Sequence, residues 1–206
     1  MESLNWWRER AEEGDIGAQY ELGLMYDTGR GVPQNYPEAA RWYRKAGEQG
    51  NAPAQFLLGL MYDQGRGVQE DCIEAASWLR KAAEQGNAPA QLILGLMYDQ
   101  GRGVQEDCIE AASCLRKAAE QGNAEAQYCL GLLYDQGRGV PQDIIEAHMW
   151  FNLAASCATG DDQKAYAEDR ELAARQMTPQ QIAEAQRRAR EWKPKSSERT
   201  GGTQVK

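Results

Sequence analysis

The sequence predicts an all-α solenoid of 36-residue helix-turn-helix repeats, and three observations carry that prediction. The stretch "YDQGRGV" stands at 62–68, 98–104 and 134–140, with "YDTGRGV" at 26–32, a constant spacing of 36 residues. The flanking sequence keeps the same period: 90–125 differs from 54–89 at only four positions, Leu92, Ile93, Cys114 and Glu125. Within each unit, apolar or small residues recur at helical spacing, as at Ala54, Leu58 and Tyr62 and again at Ala90, Leu94 and Tyr98. A helical hairpin cannot bury its apolar stripe alone, so such units stack on one another.

A half repeat at 2–17 opens the array, since Trp6, Ala11 and Gly14 lie 36 residues before Trp42, Gly47 and Gly50. Four repeats follow at 18–53, 54–89, 90–125 and 126–161. The first helix of a repeat starts at an asparagine cap (Asn51, Asn87, Asn123), with Pro53 and Pro89 in the first turn, where proline is tolerated. It stops at Gly29, Gly65, Gly101 or Gly137, each read as a left-handed C-terminal cap. The second helix opens on a capping box: Asn35 with Glu38, Asp71 with Glu74, Asp107 with Glu110, Asp143 with Glu146. Gly23, Gly59, Gly95 and Gly131 fall at helix crossings, where close approach is bought against a propensity cost of about 1 kcal/mol. Two capping helices at 162–177 and 179–193 close the array, the second entered through Thr178, Pro179 and Gln181. The solenoid is expected to form a single domain over 1–193, and 194–206 reads as a disordered tail.

Two glycines around an arginine also raise the question of a phosphate cradle. Phosphate loops follow a strand and carry a third glycine or a Lys-Ser/Thr pair. GRGV joins two helices and has neither, so it is a turn.

Taken together, the pattern AQYxLGxxYxxGxGV, followed by D, A, W and AAEQGN, resembles the Sel-one-like repeat (SLR) family, relatives of the tetratricopeptide repeat. The resemblance covers residues 2–158, and the stretch "DQKAYAEDRELAARQMTPQQIAEAQRRAREW" is similar to the helical ends of bacterial members. It implies a right-handed αα superhelix that serves as an adaptor holding partner proteins together. Some bacterial relatives are secreted and staple their repeats with paired cysteines in adjoining helices, a pairing this chain lacks. Its five cysteines are read as reduced thiols, because an odd number makes no complete framework and packed helices stand too far apart for Cys72 and Cys108 to bridge.

The formal net charge is −8, and residues 1–160 hold 13 Lys and Arg against 23 Asp and Glu. An acidic body repels a phosphate backbone, so no nucleic acid partner is expected. No apolar run approaches the roughly 18 residues of a membrane span. The start, "MESLNWWRERAEEG", lacks a signal pattern, so the chain reads as cytoplasmic unless a leader has been removed. His148 is the only histidine and no CxxC spacing occurs. No catalytic, cofactor-binding or metal-binding residue is assigned, and neither cofactor nor metal is expected. Trp42, Trp78 and Trp150 are read as core, Cys114 as a small residue in the same slot, and the basic run "RRAREWKPK" as a solvated capping face.

The alignment to tetratricopeptide relatives implies that part of each first helix lines a concave face. It directs inward Tyr20, Leu24, Asp27 and Thr28; then Phe56, Leu60, Asp63 and Gln64; then Leu92, Leu96, Asp99 and Gln100; and finally Tyr128, Leu132, Asp135 and Gln136. Apolar anchors beside a row of aspartates suit a protein or peptide partner, a basic one in particular. The competing reading pairs each aspartate with a nearby arginine, Arg30, Arg66, Arg102 or Arg138, as part of the turn. Two other functions stand beside the non-enzymatic adaptor. One is a hydrolase acting on cell-wall or β-lactam substrates; the other is a consensus-like, duplicated array with no natural ligand.

Overall fold

In the computed structural model, which describes residues 4–195, there are eleven helices and no strand among the described residues. They form two compact units, Met1–Asp107 and Cys108–Lys206. The first holds α1 (Leu4–Glu12), α2 (Ile16–Thr28), α3 (Tyr36–Glu48), α4 (Ala52–Asp63), α5 (Cys72–Glu84) and α6 (Ala88–Gln100). The second holds α7 (Cys108–Glu120), α8 (Ala124–Gln136), α9 (Ile144–Cys157), α10 (Gly160–Ala174) and α11 (Pro179–Glu191). The expected tail lies outside the described residues beyond Lys195. Lys195 itself is docked: its N–H donates to Glu120 O at 2.7 Å, and its Nζ meets Glu120 Oε2 at 2.8 Å.

The caps form largely as the sequence predicts. Asn51, Asn87 and Asn123 accept from the backbone N–H three residues on, and Gly29, Gly101 and Gly137 adopt left-handed C-caps. The capping boxes of α3, α5 and α9 are half formed. Asn35, Asp71 and Asp143 cap as predicted, but the glutamates do not reach back. Glu38 turns to Arg41, Glu74 accepts from Trp78 Nε1 at 2.9 Å, and Glu146 takes Arg188 at 2.6 Å. The N-cap N–H groups of Asn35, Asp71 and Asp143 already donate to the carbonyls of Tyr26, Tyr62 and Tyr134, at 2.9–3.0 Å, so the glutamates are left to charged and indole donors. α11 closes a full box, through Thr178 and Gln181.

Packing rests on small residues. Gly59 admits Leu79, whose Cγ would stand 2.8 Å from an added Cβ, and Gly23 and Gly131 likewise admit the rings of Tyr43 and Phe151. Leu58 and Leu79 are fully buried, each burial stabilising the stack by roughly 1.5–3 kcal/mol. Trp42, Trp78, Trp150 and Cys114 all lie in the core.

The second glycine of GRGV has a different task from the first. A methyl group on Gly103 would collide with the backbone carbonyl of Cys72, on Gly139 with that of Cys108, and on Gly67 with Tyr36. The turn of one repeat thus presses on the opening of the preceding repeat's second helix. No side chain fits there, and each of these glycines also has a positive φ.

A buried glutamine ladder completes the stack. Gln19, Gln55, Gln91 and Gln127 donate through Nε2 to the carbonyls of Ala11, Gly47, Ala83 and Ala119, at 2.8–3.1 Å. In the first unit, Gln49 and Gln85 donate in turn to Oε1 of Gln19 and Gln55. Gln127 Oε1 has no partner among the described residues, since the residue 30 positions on is Cys157 rather than glutamine.

Candidate functional site

In the first unit, α2, α4 and α6 hold the first three sets of predicted partner-binding residues. Tyr20, Leu24, Phe56, Leu60 and Leu96 are half-buried, while Thr28, Gln64 and Gln100 are exposed. Leu92 is 7% exposed and belongs to the core. Thr28 bonds back to its own helix, Oγ1 donating to Leu24 O at 2.7 Å.

The aspartates are engaged within the chain. Arg66 Nη2 donates to both oxygens of Asp27, at 3.0 and 3.3 Å, and Arg102 Nη2 stands 3.1 Å from Asp63. Each arginine comes from the next repeat, 39 residues on. The arginine three residues after Asp27 goes elsewhere: Arg30 meets Glu21 at 2.8 Å. Tyr43 adds a bond to Asp27 at 3.3 Å; burial, and then this carboxylate, push its phenol well above the ordinary tyrosine range. The Asp27 and Asp63 side chains are 12% and 13% exposed. Their arginines are open enough to water that each pair contributes about 1 kcal/mol.

In the second unit, the fourth set meets a different environment. Tyr128 donates to Asp169 Oδ2 at 2.7 Å and stacks on Tyr166 with ring centroids 4.3 Å apart, so α10 occupies it. Burial and then Asp169 push its phenol above the ordinary tyrosine range. Gln136 is exposed. Asp135 has Ala174 where its equivalents have arginine, and among the described residues it makes no ion pair. Leu132 and Asp135 border a cavity of about 420 Å³.

Little else in the described residues offers chemistry. His148 is buried, its Nδ1 has no partner, and burial followed by the charge of Arg170 lowers its pKa. All five cysteines are free thiols. No group of three His, Cys, Asp or Glu among the described residues could hold a metal ion. Within the basic run, Arg187 pairs with Glu184 and Glu191, Arg188 with Glu146 and Glu184, and Lys195 with Glu120. No described helix is long and apolar enough to cross a membrane.

Comparison with known proteins gives a consistent result. The Sel1 repeat model matches residues 16–51, 52–87, 88–123 and 124–158. A protective antigen of uropathogenic Escherichia coli that displays an SLR fold is 38% identical, with a TM-score of 0.79 over 92% of this chain. A Sel1 repeat protein from Oxalobacter formigenes is 41% identical, with a TM-score of 0.71 over 76% of this chain. The chain spans 40% of the former's length and 64% of the latter's. Comparison with the curated proteins finds no match. Sel1 repeat proteins generally mediate protein–protein interaction and are of a non-enzymatic scaffold type. With four matched repeats over most of its length and an all-α fold of the same kind, the chain belongs to the Sel1 repeat family.

Proposed function

We propose that this chain is a non-enzymatic adaptor that takes a peptide or protein segment on the faces of its first helices. The observation that carries the reading is the row Tyr20, Leu24, Phe56 and Leu60, half-buried apolar side chains on α2 and α4. Each is fixed on a packed helix and still in reach of a partner, an arrangement that favours anchoring with little ordering cost. Around them the carboxylates of Asp27 and Asp63, already paired, leave a polar rim rather than free charge. The net charge of −8 supports a basic partner through steering over distance. Five free thiols fit a reducing compartment, and the cytoplasm is the proposed location.

The test is Phe56→Asp, which places a charge on the face and leaves the buried side untouched. The helical circular dichroism should stay unchanged while a partner recovered with the parent chain is lost. Recovery of the same partner at the same level by the Phe56→Asp and Leu60→Asp variants would refute the reading.

A further inference from the structure

The repeats themselves show what an aspartate at the end of a first helix accepts. Asp27 and Asp63 each receive a guanidinium from 39 residues on. Asp135 occupies the same place in the fourth repeat, and the residue 39 positions on is Ala174. Beside Asp135 the second unit has a cavity of about 420 Å³. Asp135 lies at its edge, and Leu132, Phe151, Leu172 and Ala173 form apolar walls. Leu172 is 50% exposed, a large apolar side chain that α10 leaves without cover. Arg175, just past the end of α10, borders the same cavity but makes no ion pair with Asp135.

We propose that this cavity binds a partner segment carrying an arginine next to an apolar residue. The guanidinium meets Asp135 as Arg66 meets Asp27, through a charge-assisted bond with planar geometry. The apolar neighbour packs on Leu132 and Leu172. The partner thereby supplies the contact that the next repeat supplies elsewhere. This inference rests on the adaptor reading above and names the chemistry that one of its sites selects.

The experiment is a methyl NMR titration of the full chain, ¹³C-labelled at leucine, with acetyl-leucyl-arginine amide as the probe. Saturable shifts should appear at Leu132 and Leu172. Asp135→Asn should weaken the probe at least tenfold, as should exchanging its arginine for glutamine. Ala174→Arg, which supplies an arginine 39 positions after Asp135, should weaken the probe by competing for the carboxylate. Arg175→Gln should tighten the probe by removing a like charge. Silence at both leucines, indifference to Asp135→Asn, or weaker binding in Arg175→Gln would each overturn the proposal. A silent cavity alongside Phe56-dependent partner binding removes this inference alone. Loss of both removes the reading beneath it.

Discussion

Asp63 and Asp135 share one position in two repeats whose sequences are closely similar, yet they end in different situations. Asp63 is 13% exposed and held by Arg102. Asp135 carries no ion pair among the described residues and borders a cavity. The difference lies 39 residues away, in what the following element brings to the carboxylate. A repeat position therefore has no role of its own; the neighbour that stacks on it decides between a staple and an open contact. Tyr20 and Tyr128 make the same point. Tyr20 stays half-buried beside Tyr43, at 6.1 Å between centroids, whereas Tyr128 is stacked and hydrogen-bonded by α10.

The largest expected effect comes from removing the neighbour altogether. Deleting residues 160–206 uncovers Tyr128, Phe151, Ala154 and Ala155, which now pack with α10. Gel filtration should show association or loss of soluble protein. A truncated chain as monomeric and stable as the parent would remove α10 from its covering role.

Next comes the contact between turn and preceding repeat. Gly103 and Gly86 both have positive φ, but only Gly103 faces a backbone carbonyl; Gly86 has open space. In thermal or urea unfolding, Gly86→Ala should cost about 1 kcal/mol. Gly103→Ala should cost on the order of 3 kcal/mol or more, because backbone cannot step aside as a side chain can. Equal losses would mean that φ alone matters and that the turn does not press on its neighbour.

The aspartates come third. Asp63→Asn should lower stability by about 1 kcal/mol, while Asp135→Asn should stay within about 0.5 kcal/mol of the parent. The smallest effect concerns pH. Burial depresses the pKa of His148 below its unfolded value, so the unfolded chain binds the proton more readily. The resulting stability is complete above the ordinary value of 6.5 and is lost as pH falls below it. Melting curves of His148→Gln should show a shallower decline than the parent over that descent; parallel curves would show that His148 titrates without coupling to folding.

Much of this architecture is legible in the sequence, because caps, crossings and turn glycines act locally. The asparagine caps, the left-handed glycines and the close approaches at Gly23, Gly59 and Gly131 follow from spacing alone. What depends on stacking does not. Arg30 stands three residues from Asp27, and proximity along the chain favours it; the packed repeats bring Arg66 instead. The second glycine of GRGV looks redundant until Cys72 or Cys108 is seen against it. Gln19, Gln55, Gln91 and Gln127 recur at 36 residues among buried alanines, a signal that could have marked the ladder. Polar residues invariant within the repeat at apolar phase are candidates for internal bonds.

The central claim is that an arginine 39 residues on is what separates a stapled aspartate from an open one. The most direct measurement is a double-mutant cycle crossing Ala174→Arg with Asp135→Asn and read by chemical denaturation. Ala174→Arg should raise stability by about 0.5–1 kcal/mol when Asp135 is present, and by nothing measurable when it is asparagine. An equal effect in both backgrounds would contradict the account.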